Sequence, residues 1–147
     1  MVDRALICRV QRMLCALPLR DVIETLRPLP IEPLAGAPSY VCGLSMLRGA
    51  PVPVVDLGLL LGVEQVRATR LVALRVGART VAAAVGAVLG VRTLDGDGSL
   101  PPLLKEAGHG VIQALGSLDR ELLLVLEGAR LVPEAVYAQL EPGARQP

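Results

Sequence analysis

The chain has no Phe, no Trp and only 2 Tyr among 147 residues. Leu, Val, Ile and Ala must therefore fill the interior, and the β-branched members of that set suit a pleated, half-buried surface. Histidine is nearly absent too. His109 stands alone between Gly108 and Gly110, with no cluster of thiolate or imidazole ligands and no nucleophile for it to activate. It reads as a solvent-facing loop residue. The 3 cysteines, Cys8, Cys15 and Cys42, are odd in number and lack CxxC spacing. They read as small buried hydrophobes of a reducing compartment, not as a disulfide framework or metal site. Cys8 and Cys15 flank a hairpin turn, which permits pairing without indicating it. Charge of one sign is also missing. A net charge of +1 and the shortage of aromatic stacking platforms argue against nucleic acid. The longest apolar run, residues 81–91, falls well short of the roughly 20 residues a membrane-spanning helix needs. The Gly86 and Gly90 spacing inside it is therefore read as accidental. Asp3 and Arg4 precede only a short apolar stretch broken by Arg9, so no secretory signal is expected.

Familiar catalytic signatures are missing as well. No Walker loop, nucleophile elbow, HExxH or GxGxxG occurs. Asp95, Asp97 and Glu106 fall at the first, third and twelfth positions of a calcium loop, but Leu100 occupies the position that needs Gly, and Pro101 and Pro102 follow. A surface turn is the better reading, and no metal or other cofactor is expected.

What the chain does have is apolar: 52% of its residues are hydrophobic, enough to exclude a disordered chain. Its length fits one domain, or two small barrels sharing a core. Residues 5–10 and 13–17 are apolar runs around a polar Gln11-Arg12 break, the pattern of a hairpin. Pro18 interrupts, and residues 19–26 suit one or two helical turns or an irregular strand. Pro28, Pro30, Pro33 and Pro38 make residues 29–39 a loop. Apolar runs follow at 41–49 and 52–55. Asp56 before residues 57–61, with Gly62 beyond, fits a capped short helix. Residues 69–76 and 79–85 flank a Gly77-Ala78 turn, and 88–94 is read as continuing that hairpin. Residues 95–99 are turn chemistry and 100–110 a loop. Residues 111–118 and 121–126 form a last pair around Asp119-Arg120. Pro133 and Glu134 open a short helix to about Leu140.

This succession of short strands predicts an all-β sandwich or barrel with short helices. Roughly half of the strands precede residue 66, so the expected division is 1–65, 66–132 and a C-terminal piece, 133–147, whose end is expected to fray. The densest stretch runs from Val41 to Leu57. Gly43 and Gly49 there are structural turn positions, and Asp56 a helix cap. Arg48, alone among apolar neighbours, is either a clamp on turn carbonyls or a partner-facing hot spot.

That stretch resembles the signature of chemotaxis coupling (CheW-like) proteins, in which a GxxNLRG turn leads into a PxxDL segment. Here the residues are Gly43-Leu44-Ser45-Met46-Leu47-Arg48-Gly49, then Pro53-Val54-Val55-Asp56-Leu57. Val22-Ile23-Glu24, residues 69–94 and residues 116–126 extend the similarity to nearly the whole chain. The resemblance implies two five-stranded SH3-like barrels sharing a hydrophobic groove. It implies a non-catalytic, cytoplasmic adaptor between chemoreceptor tips and the regulatory domain of a histidine kinase, joined to membrane arrays only through its partners. On matched positions Val22, Glu24 and Arg48 would face the receptor, and Thr69, Arg70 and Gly77 the kinase. Two departures stand out. Met46 replaces the usual Asn, and the acidic residue usual in the second barrel's apolar strand is missing near Gly86. An adaptor that binds only receptor or only kinase is the nearest alternative. A small-ligand barrel or enzyme is a further one, which the paucity of His, Tyr and Ser disfavours.

Overall fold

The computed structural model describes residues 3–94, 112–118 and 121–126, together with Val132 and Tyr137. The expected turn at 95–99, the expected loop carrying Glu106 and His109, the expected turn at Asp119-Arg120 and the expected C-terminal helix, apart from Tyr137, lie outside the described residues.

Strands β1 (Asp3–Val10) and β2 (Met13–Pro18) pair antiparallel around the Gln11-Arg12 turn, with Cys8 directly opposite Cys15. Beyond Pro18 come a short 3₁₀ turn (Leu19–Asp21) and then β3 (Val22–Leu26), so residues 19–26 are in part helical turn and in part strand. β4 (Val41–Leu47) and β5 (Ala50–Asp56) follow, then α1 (Leu57–Leu60), then β6 (Arg70–Val76) and β7 (Arg79–Val85). β8 (Ala87–Leu94) precedes the closing pair β9 (Ile112–Leu118) and β10 (Glu121–Leu126).

The ten strands form two sheets of five, in the orders β8-β1-β2-β10-β9 and β3-β6-β7-β5-β4. Two expectations need correction here. β8 does not continue the β6–β7 hairpin but pairs with β1 in the other sheet. The crossing falls at Gly86, whose N–H donates to the carbonyl of Arg9 at 2.9 Å. The halves 1–65 and 66–132 therefore do not correspond to the sheets: the first takes both ends of the described chain, and the second takes the middle, β3 to β7. The physical reason is that each sheet is completed by a parallel pairing, β2 with β10 and β5 with β7, between strands distant in sequence. No local turn signal marks such a pairing.

Burial explains why residues 81–85 read as a continuous apolar run rather than an alternation. Val81, Ala83 and Val85 enter a core shared with the first sheet, where Leu6, Cys8, Val10, Cys15 and Leu17 meet Val72 and Leu74. Ala82 and Ala84 point the other way, into a second cluster with Val52, Val54 and Leu71. Leu26, Cys42 and Leu47 pack against that cluster, so all five strands of the second sheet contribute to it. That is the signature of a sheet curled on itself. A strand buried on both faces has no polar face to show. The chain's 2 tyrosines, Tyr40 and Tyr137, both belong to the shared core.

Among the described residues no helix is long and apolar enough to cross a membrane, and no three His, Cys, Asp or Glu gather as metal ligands.

Candidate functional site

The β4–β5 hairpin turns through Arg48 and Gly49, with φ of 53° and 83° and Leu47 paired to Ala50. Positive φ at both central residues is the type I′ arrangement, whose twist matches the flanking strands. Gly49 adopts it without penalty, whereas Arg48 is a side chain held in the left-handed region. This projects the guanidinium outward. Its Nε donates to Glu24 Oε2 at 2.8 Å and an NH₂ nitrogen donates to Glu24 Oε1 at 2.9 Å, a bidentate fork. The side chain of Arg48 is 74% exposed and that of Glu24 27%. The reading of Arg48 as a clamp on turn carbonyls is thus corrected: its acceptor is a carboxylate on β3, and it stands in solvent. The hydrogen bond from Arg48 holds the Glu24 carboxyl below its ordinary value, with a smaller contribution from the guanidinium charge.

The pair borders an open cavity of about 440 Å³. Ile23 and Glu24 form one wall, Leu47, Arg48 and residues 50–52 a second, and residues 78–80 with Tyr137 a third. The exposed surface is mixed in a useful way. Ile23, Ala50, Pro51 and Ala78 are apolar and accessible, while Glu24, Arg48 and Arg79 set charges along the rim. Arg79 lies over the Tyr137 ring, 4.3 Å from its centroid. Such a surface offers apolar contact with charged register points, and among the described residues it holds no paired nucleophile and base. The cysteines supply no reactive group there: burial pushes the Cys8 and Cys15 thiols up to about 12, and burial also raises Cys42.

The structure brings some of the expected site residues together and separates others. Glu24 and Arg48 meet. Val22, two residues before Glu24, is half-buried and packs against the shared core, so its exposed neighbour Ile23 occupies the cavity wall instead. Thr69 and Arg70 lie at the start of β6, where the Thr69 hydroxyl donates to the Gly86 carbonyl at 2.5 Å. Gly77 lies beyond the other end of that strand, roughly 25 Å away at the usual rise per residue, and its turn partner Ala78 borders the cavity. The three expected kinase-facing residues therefore form no single patch.

Asp56 caps α1 through Oδ1, which accepts from the Leu59 N–H at 3.0 Å. The same carboxylate accepts from the Val66 N–H through both oxygens, a second use that local capping patterns do not reveal. Gly43 is a close-approach position: a side chain there would collide with the backbone of Glu32. Sequence reasoning missed Ile23, Pro51, Arg79 and Tyr137 as cavity residues. Tyr137 alone carried a signal, as one of 2 aromatic side chains in the chain.

Comparisons with known proteins agree with this fold. Residues 4–136 match the family model described as the CheW-like domain. Protein FrzA of Myxococcus xanthus is 32% identical, with 86% of this chain and 83% of FrzA covered. The crystal structure of the scaffolding protein TtCheW from Thermoanaerobacter tengcongensis superposes with a TM-score of 0.75 over 86% of this chain and 90% of that one, at 20% identity. At that identity the likeness establishes the fold, two five-stranded SH3-like barrels.

Proposed function

This chain belongs to the CheW-like family, a non-catalytic scaffold of chemotaxis signalling, and on that premise we propose that it couples a chemoreceptor tip to a histidine kinase within a signalling array. The cavity beside the Glu24–Arg48 fork carries the reading. A helical hairpin tip presents an apolar ridge with charges at its margins, and a groove takes such a ridge by helix-in-groove docking. Ile23, Ala50 and Pro51 would supply apolar contact, and Glu24 and Arg48 would fix register. Val22 supports Ile23 from the shared core, and the Gly77-Ala78 turn belongs with this receptor side.

The kinase regulatory domain, expected to share the barrel fold, would pack on the Thr69–Arg70 end of β6. Each contact is of the transient class, below about 1,200 Å², and tethering within an array raises its effective concentration. A receptor state passes to the kinase if it changes the adaptor–kinase affinity, and a coupling of about 1–3 kcal/mol is typical of such linkage. The protein would work at the cytoplasmic side of the membrane, held there by its partners and without inserting itself. Met46, 62% exposed where the family usually has Asn, favours a second reading, an adaptor that serves only one of the two partners.

Titrating a receptor-tip hairpin and the kinase regulatory domain separately tests both readings. Arg48→Glu is expected to weaken receptor binding at least about tenfold, as hot-spot charges do, with kinase binding unchanged. Arg70→Glu is expected to do the reverse. A wild-type chain that binds only one partner favours the second reading. If Arg48→Glu alters neither affinity, the cavity is not the receptor site.

A further inference from the structure

β4 is an outer strand of the second sheet, and its sequence, VCGLSML, carries no charge and no proline. Exposed edges of that composition are templates for pairing with other chains. The opposite edge, β3, carries Glu24 and needs less protection. On β4 the protection comes from residues 27–33. The Glu32 N–H donates to the Leu44 carbonyl and the Leu44 N–H donates to the Glu32 carbonyl, both at 2.8 Å. The Ser45 hydroxyl donates to the Pro30 carbonyl at 2.8 Å, and Leu29 packs into the second sheet's own cluster.

Two details make this strap a terminus of the sheet, not a sixth strand. It meets β4 in a single isolated bridge, and Pro28, Pro30 and Pro33 have no N–H with which to pass a ladder outward. Gly43 is its seat, because any side chain there meets the Glu32 backbone.

We propose that residues 27–33 are an edge cap, and that the surface beneath them is a strand-pairing site which, uncapped, takes β4 of a second copy of this chain. The choice of occupant follows from charge. Two β4 strands can pair antiparallel without placing like charges opposite one another, and their apolar side chains match in character. This inference concerns β4 and its strap alone, and it stands whether or not the cavity binds a receptor.

Gly43→Val tests it by unseating the strap. Light scattering behind size exclusion is expected to show wild type as a monomer, and the variant as a dimer whose fraction grows with concentration. Amide exchange at Leu44 is expected to rise at least about tenfold in dilute variant, as for a locally opened segment. A variant that stays monomeric overturns the proposal, whether Leu44 is exposed to exchange or still protected. Since Gly43 is buried, the combination Leu29→Ser with Glu32→Pro serves if Gly43→Val does not fold. It removes the strap's apolar anchor and one backbone donor without adding bulk beneath it. Association must appear there also, and a monomer across the same concentrations overturns the cap.

Discussion

The two sheets are built to the same strand number but used differently. The first closes through the two ends of the described chain, with β1, β2 and β8 to β10, and its hairpin contributes Cys8, Val10, Cys15 and Leu17 to the shared core. The second is made of the continuous middle of the chain, and it carries the Glu24–Arg48 fork and every cavity-lining residue except Tyr137. Its two edges, β3 and β4, are drawn together by side chains and by a strap instead of a ladder of backbone bonds. A seam closed by side chains leaves polar groups and apolar surface accessible, whereas a seam closed by backbone consumes them. The proposed docking surface lies where the barrel is closed least completely.

If the shared core makes one cooperative unit of these two regions, truncating it from either side destabilises both. Leu17→Ala in the first sheet and Leu74→Ala in the second, each fully enclosed, are each expected to cost about 2–5 kcal/mol. Probes placed in both sheets should report one coincident urea transition. Two separated transitions would break the comparison, showing barrels that fold independently.

A smaller effect is expected at Asp56, which ties α1 to the approach to β6 within the second sheet. Asp56→Asn keeps an acceptor for the Leu59 N–H but loses one of the two oxygens facing Val66. A loss of about 1–3 kcal/mol is expected, read from urea midpoints, with first-sheet amide shifts unchanged. Asp56→Ala should cost more, since it removes the cap as well.

The smallest effect concerns the fork. Because Arg48 lowers the Glu24 pKa in the folded state, the pair's contribution is present above the ordinary carboxylate value of 4.5. It is lost as pH falls through the lowered value. A carboxyl NMR titration of Glu24 is expected to show a midpoint below 4.5 that moves upward in Arg48→Ala. The thermal midpoint of that variant should shift by no more than about 3 °C, as for exposed substitutions.

The hairpins at β1–β2 and β6–β7 were legible because two-residue turns lie between apolar runs, whereas the runs 41–49 and 52–55 put the next break two residues past the Arg48-Gly49 turn. Asp56 was legible as a cap because the pattern is local. Glu24 and Arg48 could each be singled out, yet nothing in their spacing says that they meet. Their contact depends on the second sheet curling until β3 approaches β4. The parallel pairings and the departure of β8 at Gly86 were hidden for the same reason, since each is decided by strands far apart in sequence. Val22 and Glu24 lie on the half-buried face of β3 and Ile23 on its exposed face, a phase the sequence does not reveal because the strand carries apolar residues on both faces.

The central claim is that the cavity on the second sheet, beside the Glu24–Arg48 fork, is where a receptor docks. Amide shift mapping on titration with a receptor-tip helical hairpin tests it most directly. Perturbations concentrated in Ile23, Glu24, residues 47–52 and residues 78–80, and absent from Arg48→Glu at the same hairpin concentration, are the predicted result. Perturbations confined to β1, β2 and β8 of the first sheet would contradict it.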